Sequence, residues 1–124
     1  MELAARRFAN TLVLSPAGRL DHAAAEGFTG ALLGHLETCR AGQDLVVLDL
    51  SGVPYIASVG LRALMLASKQ AKTQGGTLVL AALSPVVQEI FEISRFTLIF
   101  PLFPSVRDAL AVRAPAALQA FDAA

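Results

Sequence analysis

Leu45-Val46-Val47-Leu48-Asp49-Leu50 is apolar at five of six consecutive positions. A strand with one solvated face alternates apolar and polar residues, so a run this continuous reads as a strand covered on both faces or nearly so. The chain around it is punctuated to match. Thr11 to Leu14 is a shorter strand, ended by the turn cluster Ser15-Pro16-Ala17-Gly18. Asp21 suits the N-cap of a helix from His22 to about Arg40, with Phe28, Ala31, Leu32 and Leu36 at helical spacing and Gly42 at its stop. After the apolar run, Ser51 to Ile56 reads as a loop, and Ser58 opens a second helix that reaches about Gln74 before Gly75-Gly76. Thr77 to Leu83 is a further buried strand. Ser84-Pro85 pairs a cap with proline at the first helical position and starts a third helix through Ser94. Leu98 to Phe103 is interrupted by proline and therefore suits an edge strand. Ser105 caps a last helix, Val106 to about Val112. The order is β-α-β-α-β-α-β-α, an α/β domain spanning residues 1–124, with residues 1–10 and 115–124 expected as loose ends. At 124 residues its helical cover is expected to be incomplete, mainly on one side of the sheet.

Composition removes several classes of function. Hydrophobic residues make up 55% and charged ones 16%, with mean hydropathy +0.59, the reverse of a disordered chain. The longest uncharged stretch, between Lys72 and Glu89, is broken by Gly75-Gly76, Ser84 and Pro85. It falls short of the roughly 20 continuous apolar residues of a spanning helix, so no membrane insertion is expected. Ten basic and ten acidic residues cancel and are spread evenly, without the basic footprint that nucleic acids require. No apolar stretch follows Arg6-Arg7, and Cys39 is the single cysteine, which together suit a reducing cytoplasm and a small core residue.

Catalytic chemistry finds little purchase. The loop from Ser51 to Gly60 has two glycines but matches neither dinucleotide nor P-loop spacing, and it contains no Lys or Arg to hold a phosphate. Gly27, Gly30 and Gly34 fall inside the first helix, where close helix packing is the expected reason for them. His22 and His35 are thirteen residues apart, about 140° around a helix, and do not face each other. Ser58, His22 and Asp21 could supply the residue types of a hydrolase triad. The residues around Ser58, Ile56-Ala57-Ser58-Val59-Gly60, form no nucleophile elbow, so no enzyme and no cofactor or metal is expected.

Ser51 to Leu61 carries no charge at all. Loops usually lie at the surface, so an uncharged one is a candidate docking surface for a partner. The alternative is that Val53, Tyr55 and Ile56 tuck into the core. Ser58 likewise has two readings. Its hydroxyl can cap the helix, or it can be phosphorylated. A phosphate would add about −1.5 to −2 charges beside the positive helix end and would repel a partner docked on an uncharged surface.

Val47-Leu48-Asp49-Leu50-Ser51-Gly52-Val53-Pro54-Tyr55-Ile56-Ala57-Ser58-Val59-Gly60-Leu61 resembles the signature of STAS domains, the anti-sigma-factor antagonists. Three further blocks resemble that family in order: Gly18-Arg19-Leu20-Asp21, Gln74-Gly75-Gly76-Thr77-Leu78-Val79-Leu80, and Leu83-Ser84-Pro85-Val86-Val87. The resemblance implies a STAS-type fold, a mixed central sheet of four to five strands with about four helices packed mainly on one side. It implies an antagonist that is a monomer or weak dimer and binds an anti-sigma factor of serine-kinase type while unphosphorylated. Phosphorylation would fall on Ser58 and a serine phosphatase would reset it. ATP and magnesium would belong to the kinase partner. Binding would centre on Ser51 to Arg62, namely Ser51, Tyr55, Ala57, Ser58, Val59, Gly60, Leu61 and Arg62, with Asp21 beside them. Ala57 stands where the family usually has an acidic residue. The resemblance also allows a cytoplasmic STAS subunit of a phospholipid ABC-type transport complex, docked permanently, with Ser58 only a cap.

Overall fold

The computed structural model describes residues 2–40 and 45–124. Among them, five strands form one sheet in chain order: β1 (Glu2–Phe8), β2 (Thr11–Ala17), β3 (Leu45–Asp49), β4 (Thr77–Ala81) and β5 (Leu102–Phe103). β1 and β2 pair antiparallel; β2 to β5 run parallel. The helices are α1 (His22–His35), α2 (Ser58–Thr73), α3 (Pro85–Ile93), α4 (Val106–Arg113) and α5 (Pro115–Ala123).

Strand alternation sorts the core into two layers. Leu12, Leu14, Val46, Leu48, Leu78 and Leu80 point to one face and pack with Phe28 and Leu32 of α1, Leu64 of α2 and Phe91 of α3. Val13, Val47, Val79 and Ala81 point to the other, against Ala109 and Leu110 of α4 and Ala117 of α5. Both faces of β3 are therefore buried, which explains its unbroken apolar run. The expected mixed sheet of four to five strands with about four helices is found with five of each: α1, α2 and α3 cover one face, and α4 and α5 the other.

Most of the two expected loose ends lies in secondary structure. Residues 2–8 form β1, an edge strand in which only Phe8 is buried, so solvation of most of its side chains hides the strand pattern from the sequence. Pro115 does not end the fold but restarts a helix at its first turn. Phe121 of that helix meets Phe8 edge-on at 5.3 Å, and Arg107 of α4 grips Asp122 through two nitrogens at 3.1 and 3.2 Å.

Other boundaries shift for local reasons. β2 continues through Ser15-Pro16-Ala17, and the turn comes at Gly18, with φ +113°. Pro16 lies beyond the last β2–β3 pair, so its missing N–H interrupts no bond to β3. α1 ends at His35 and continues only as a 3-10 turn over Leu36–Thr38. The expected stop at Gly42 lies outside the described residues. β5 is the edge expected, but shortened to two residues between Pro101 and Pro104.

Cys39 is buried, and its thiol donates to the Thr77 carbonyl at 3.3 Å. Gly76 lies against the Cys39 carbonyl so closely that an added Cβ would overlap backbone atoms. Gly27, Gly30 and Gly34 behave oppositely: a Cβ at each meets nothing within 4 Å, so helix packing does not account for them. Chemical denaturation distinguishes the two kinds of glycine. Gly30→Ala is expected to stabilise the fold by about 0.5–1 kcal/mol through the unfolded state and helix propensity. Gly76→Ala is expected to destabilise it by about 1–3 kcal/mol through overpacking.

Candidate functional site

The site is built at the end of the sheet where the parallel strands finish, and it begins with Asp49. Its carboxylate accepts the Ser51 N–H at 3.0 Å and the Ser15 hydroxyl at 3.3 Å, folding the chain over as β3 ends. Val53 donates its N–H to the Leu50 carbonyl at 3.0 Å and is fully buried. The Ser84 hydroxyl donates to the Val53 carbonyl at 3.1 Å and accepts from Val87 N–H at the start of α3. Gly52 accepts the Gly18 N–H at 2.9 Å, and a Cβ there would lie 2.9 Å from the Pro16 carbonyl oxygen. The β3–α2 loop is thus anchored on one side to the segment after β2 and on the other to the cap of α3.

Leu20 makes the central clamp. Its N–H donates to Tyr55 and its carbonyl accepts from Ala57, both at 2.9 Å, forming a parallel bridge between Leu20 and Ile56. Both side chains are buried, and Gly60 sits against them, where a Cβ would come within 2.7 Å of each. The bridge sets Asp21 and Ala57 one residue beyond it on adjoining segments. The starts of α1 and α2 are therefore neighbours. Asp21 is committed to capping α1, accepting the Ala24 N–H at 3.2 Å.

The start of α2 differs from the capping reading of Ser58. Ala57, extended at φ −88° and ψ 171°, occupies the cap position and offers no side-chain acceptor; Ser58 is the first helical residue. The Leu20 clamp holds the Ala57 N–H, so the turn into the helix begins immediately after it. An alanine cap forgoes the side-chain hydrogen bond that stabilises most helix starts. The Ser58 side chain is exposed and free of the capping role.

The segment from Ser51 to Arg62 divides into anchors and surface. Val53, Ile56 and Gly60 are buried; Tyr55, Ala57, Val59 and Leu61 are half-buried; Ser51, Gly52, Pro54, Ser58 and Arg62 are exposed. Two of the three residues that could have tucked into the core do so, but Tyr55 stays at the surface under the Arg19 guanidinium, 4.4 Å from its ring centroid. The surface is not uncharged, because Arg19 arrives from the turn before α1. Arg19 stands within the Gly18-Arg19-Leu20-Asp21 block, where the sequence assigns it no role. Its signal was position next to Leu20 and Asp21, which only the clamp turns into proximity.

The two histidines weighed for a metal do not meet. His22 opens α1 and His35 closes it, about 20 Å apart along the axis at 1.5 Å per residue. Among the described residues, no three His, Cys, Asp or Glu side chains gather into a metal-holding group.

Residues 2–109 match the family model for the STAS domain. The chain belongs to the STAS domain family. BtrV of Bordetella bronchiseptica, named as an anti-sigma factor antagonist, is 38% identical over 118 residues, covering 95% of this chain and 98% of that protein. A solved STAS-domain anti-sigma-factor antagonist of Planctomyces limnophilus superimposes with a TM-score of 0.79 at 24% identity, over 90% of this chain and 97% of its own. The antagonist SpoIIAA in its unphosphorylated form gives 0.70 at 18% identity, over 90% and 96% of the two chains, and its phosphorylated form has also been solved. A murine anion transporter shares the fold over the 18% of its length that this chain covers. Among the described residues no helix is long and apolar enough to cross a membrane.

Two substitutions check this geometry. Gly60→Ala is expected to destabilise the fold by about 1–3 kcal/mol in thermal unfolding, because Leu20 and Ile56 have no room to retreat. Tyr55 is the single tyrosine and there is no tryptophan, so intrinsic fluorescence reports this loop alone. Arg19→Ala is expected to change that emission while leaving the circular dichroism spectrum intact; unchanged emission would mean the guanidinium is not seated on the ring.

Proposed function

We propose that this chain is an anti-sigma factor antagonist that acts by binding rather than catalysis. Its partner is an anti-sigma factor of serine-kinase type, held on the Ser51–Arg62 surface beside Asp21. Phosphorylation of Ser58 releases it. ATP and magnesium belong to the kinase, a serine phosphatase restores the binding form, and the exchange takes place in the cytoplasm.

One observation carries the reading: Ser58 is exposed at the first position of α2 with its hydroxyl free of the cap. A serine needed to hold the helix start would resist modification. Here Ala57 holds the cap position, so a phosphate on Ser58 replaces no structural bond. The first-turn N–H groups and the positive end of the helix accommodate the new charge within the protein. A partner lying on the half-buried Tyr55, Val59 and Leu61 does not, since the phosphate would have to be desolvated. The same observation weighs against permanent docking in a transport assembly, the reading in which Ser58 serves only as a cap. With Ala57 in place of an acidic residue and no Asp or Glu in α2, a phosphate on Ser58 is the first anion on this helix.

The test is the affinity of wild type, Ser58→Ala and Ser58→Asp for the kinase-type anti-sigma factor encoded with this chain. Wild type and Ser58→Ala are expected to bind equally. A loss of about 2.8 kcal/mol in Ser58→Asp would weaken binding about a hundredfold. Equal affinity for all three would overturn control at this serine. Recovery of an ABC-type ATPase and permease from the native cell, without an anti-sigma factor, would favour the transport reading.

A further inference from the structure

The 16 residues of α2 contain Arg62, Lys69 and Lys72 and no Asp or Glu. In a chain whose charges cancel overall, this helix alone holds three of the ten cations and none of the ten anions. At 100° per residue, Ser58, Arg62, Met65, Lys69 and Lys72 fall within about 80° of one another. They form one outward stripe about 21 Å long, opposite the buried Gly60, Ala63, Leu64, Ala67 and Ala71. Among the described residues, none of the three cations makes an ion pair. Midway along the stripe a cavity of about 350 Å³ is lined by Met65, Ser68, Lys69 and Lys72 of α2 and by Ile99. Met65 is 44% exposed at its mouth.

We propose that this stripe is the docking face for an acidic, helix-sized ridge of the anti-sigma factor, with one apolar side chain of that ridge seated against Met65 and Ile99. The inference rests on the reading of Ser58 given above and names the chemistry of the surface that meets it. Three cations on one line at helical spacing, two of them lining the pocket with Met65 and Ile99, complement carboxylates repeating along a helix. A nucleic acid does not fit as well, because zero net charge supplies none of the long-range attraction its binding depends on. A bilayer does not either: three cations and one half-exposed methionine are fewer anchors than the lipid chain plus basic patch that stable attachment takes.

The stripe also accounts for how a single phosphate acts at its head. Arg62 is four residues from Ser58, where side chains on a helix are neighbours. A phosphate of about −1.5 to −2 charges there pairs with Arg62 and offsets most of the three positive charges. The partner then meets a stripe whose net charge has fallen from +3 to about +1 to +1.5, with an anion at its head.

Surface plasmon resonance with the kinase-type anti-sigma factor tests this. The association rate is expected to fall about tenfold or more between about 50 mM and about 500 mM NaCl. Lys69→Glu with Lys72→Glu should slow association about tenfold at the lower salt, and Met65→Asp should speed dissociation. Arg113→Glu, on α4 over the opposite sheet face, should change neither rate, which separates the stripe from net charge. Binding that ignores salt and both lysine reversals would overturn this inference and leave the Ser58 reading standing. Absence of any binding would sink both. Co-flotation of the protein with phosphatidylglycerol vesicles, lost in the double lysine variant, would assign the stripe to a membrane and overturn it as well.

Discussion

Two hydrogen bonds to the Leu20 backbone organise the end of the sheet where the candidate site lies. The Leu20 backbone reaches Tyr55 and Ala57 at 2.9 Å and so ties the turn before α1 to the loop before α2. Everything distinctive about the site follows from that clamp. It places Asp21 next to the start of α2 and brings Arg19 over Tyr55. It also fixes the Ala57 N–H, which makes alanine the cap and leaves Ser58 as the first helical residue. Gly60 completes the arrangement, because only a residue without Cβ lets α2 settle onto the Leu20 and Ile56 side chains.

The clamp has something rigid to act on because the sheet is filled from both sides. Even-numbered positions of β2, β3 and β4 build one apolar layer and odd-numbered positions the other. α4 and α5 approach the second layer closely because Ala109, Ala114 and Ala117 present small side chains to it. A two-sided cover also leaves the end of the sheet as the place where loops can be exposed without opening the core. The Ser51–Arg62 segment occupies that end, with Val53 and Ile56 as internal anchors and Tyr55, Ser58 and Arg62 toward solvent.

Charge is distributed with a similar economy. The segment before Arg62 is neutral along the chain, yet its surface is flanked by Arg19 in space and continued by the three cations of α2. The neutral segment is thereby set among the cations of Arg19 and α2 and the carboxylates of Asp21 and Asp49. Neither the zero net charge nor the uncharged run conveys this by itself. It emerges from where Arg19, Asp21 and the cations of α2 come to lie in space.

Local signals in the sequence determined most of the scaffold. The unbroken apolar run marked β3 as a two-sided strand, Asp21, Ser84 and Ser105 marked three helix starts, and the block around Ser58 marked the family. Each of these depends on residues within a few positions of one another, so periodicity and capping chemistry suffice to read them. The tertiary structure decided the rest. β1 has little apolar pattern because most of its side chains are solvated, and it exists through pairing with β2. α5 follows a proline and is held by Phe8 and Arg107. Ser58 lost its expected capping role because Leu20, distant in the chain, holds the residue before it. Arg19 became part of the site for the same reason. These features are contacts between segments far apart in sequence, and no local pattern encodes which distant backbone group will be there to accept a hydrogen bond.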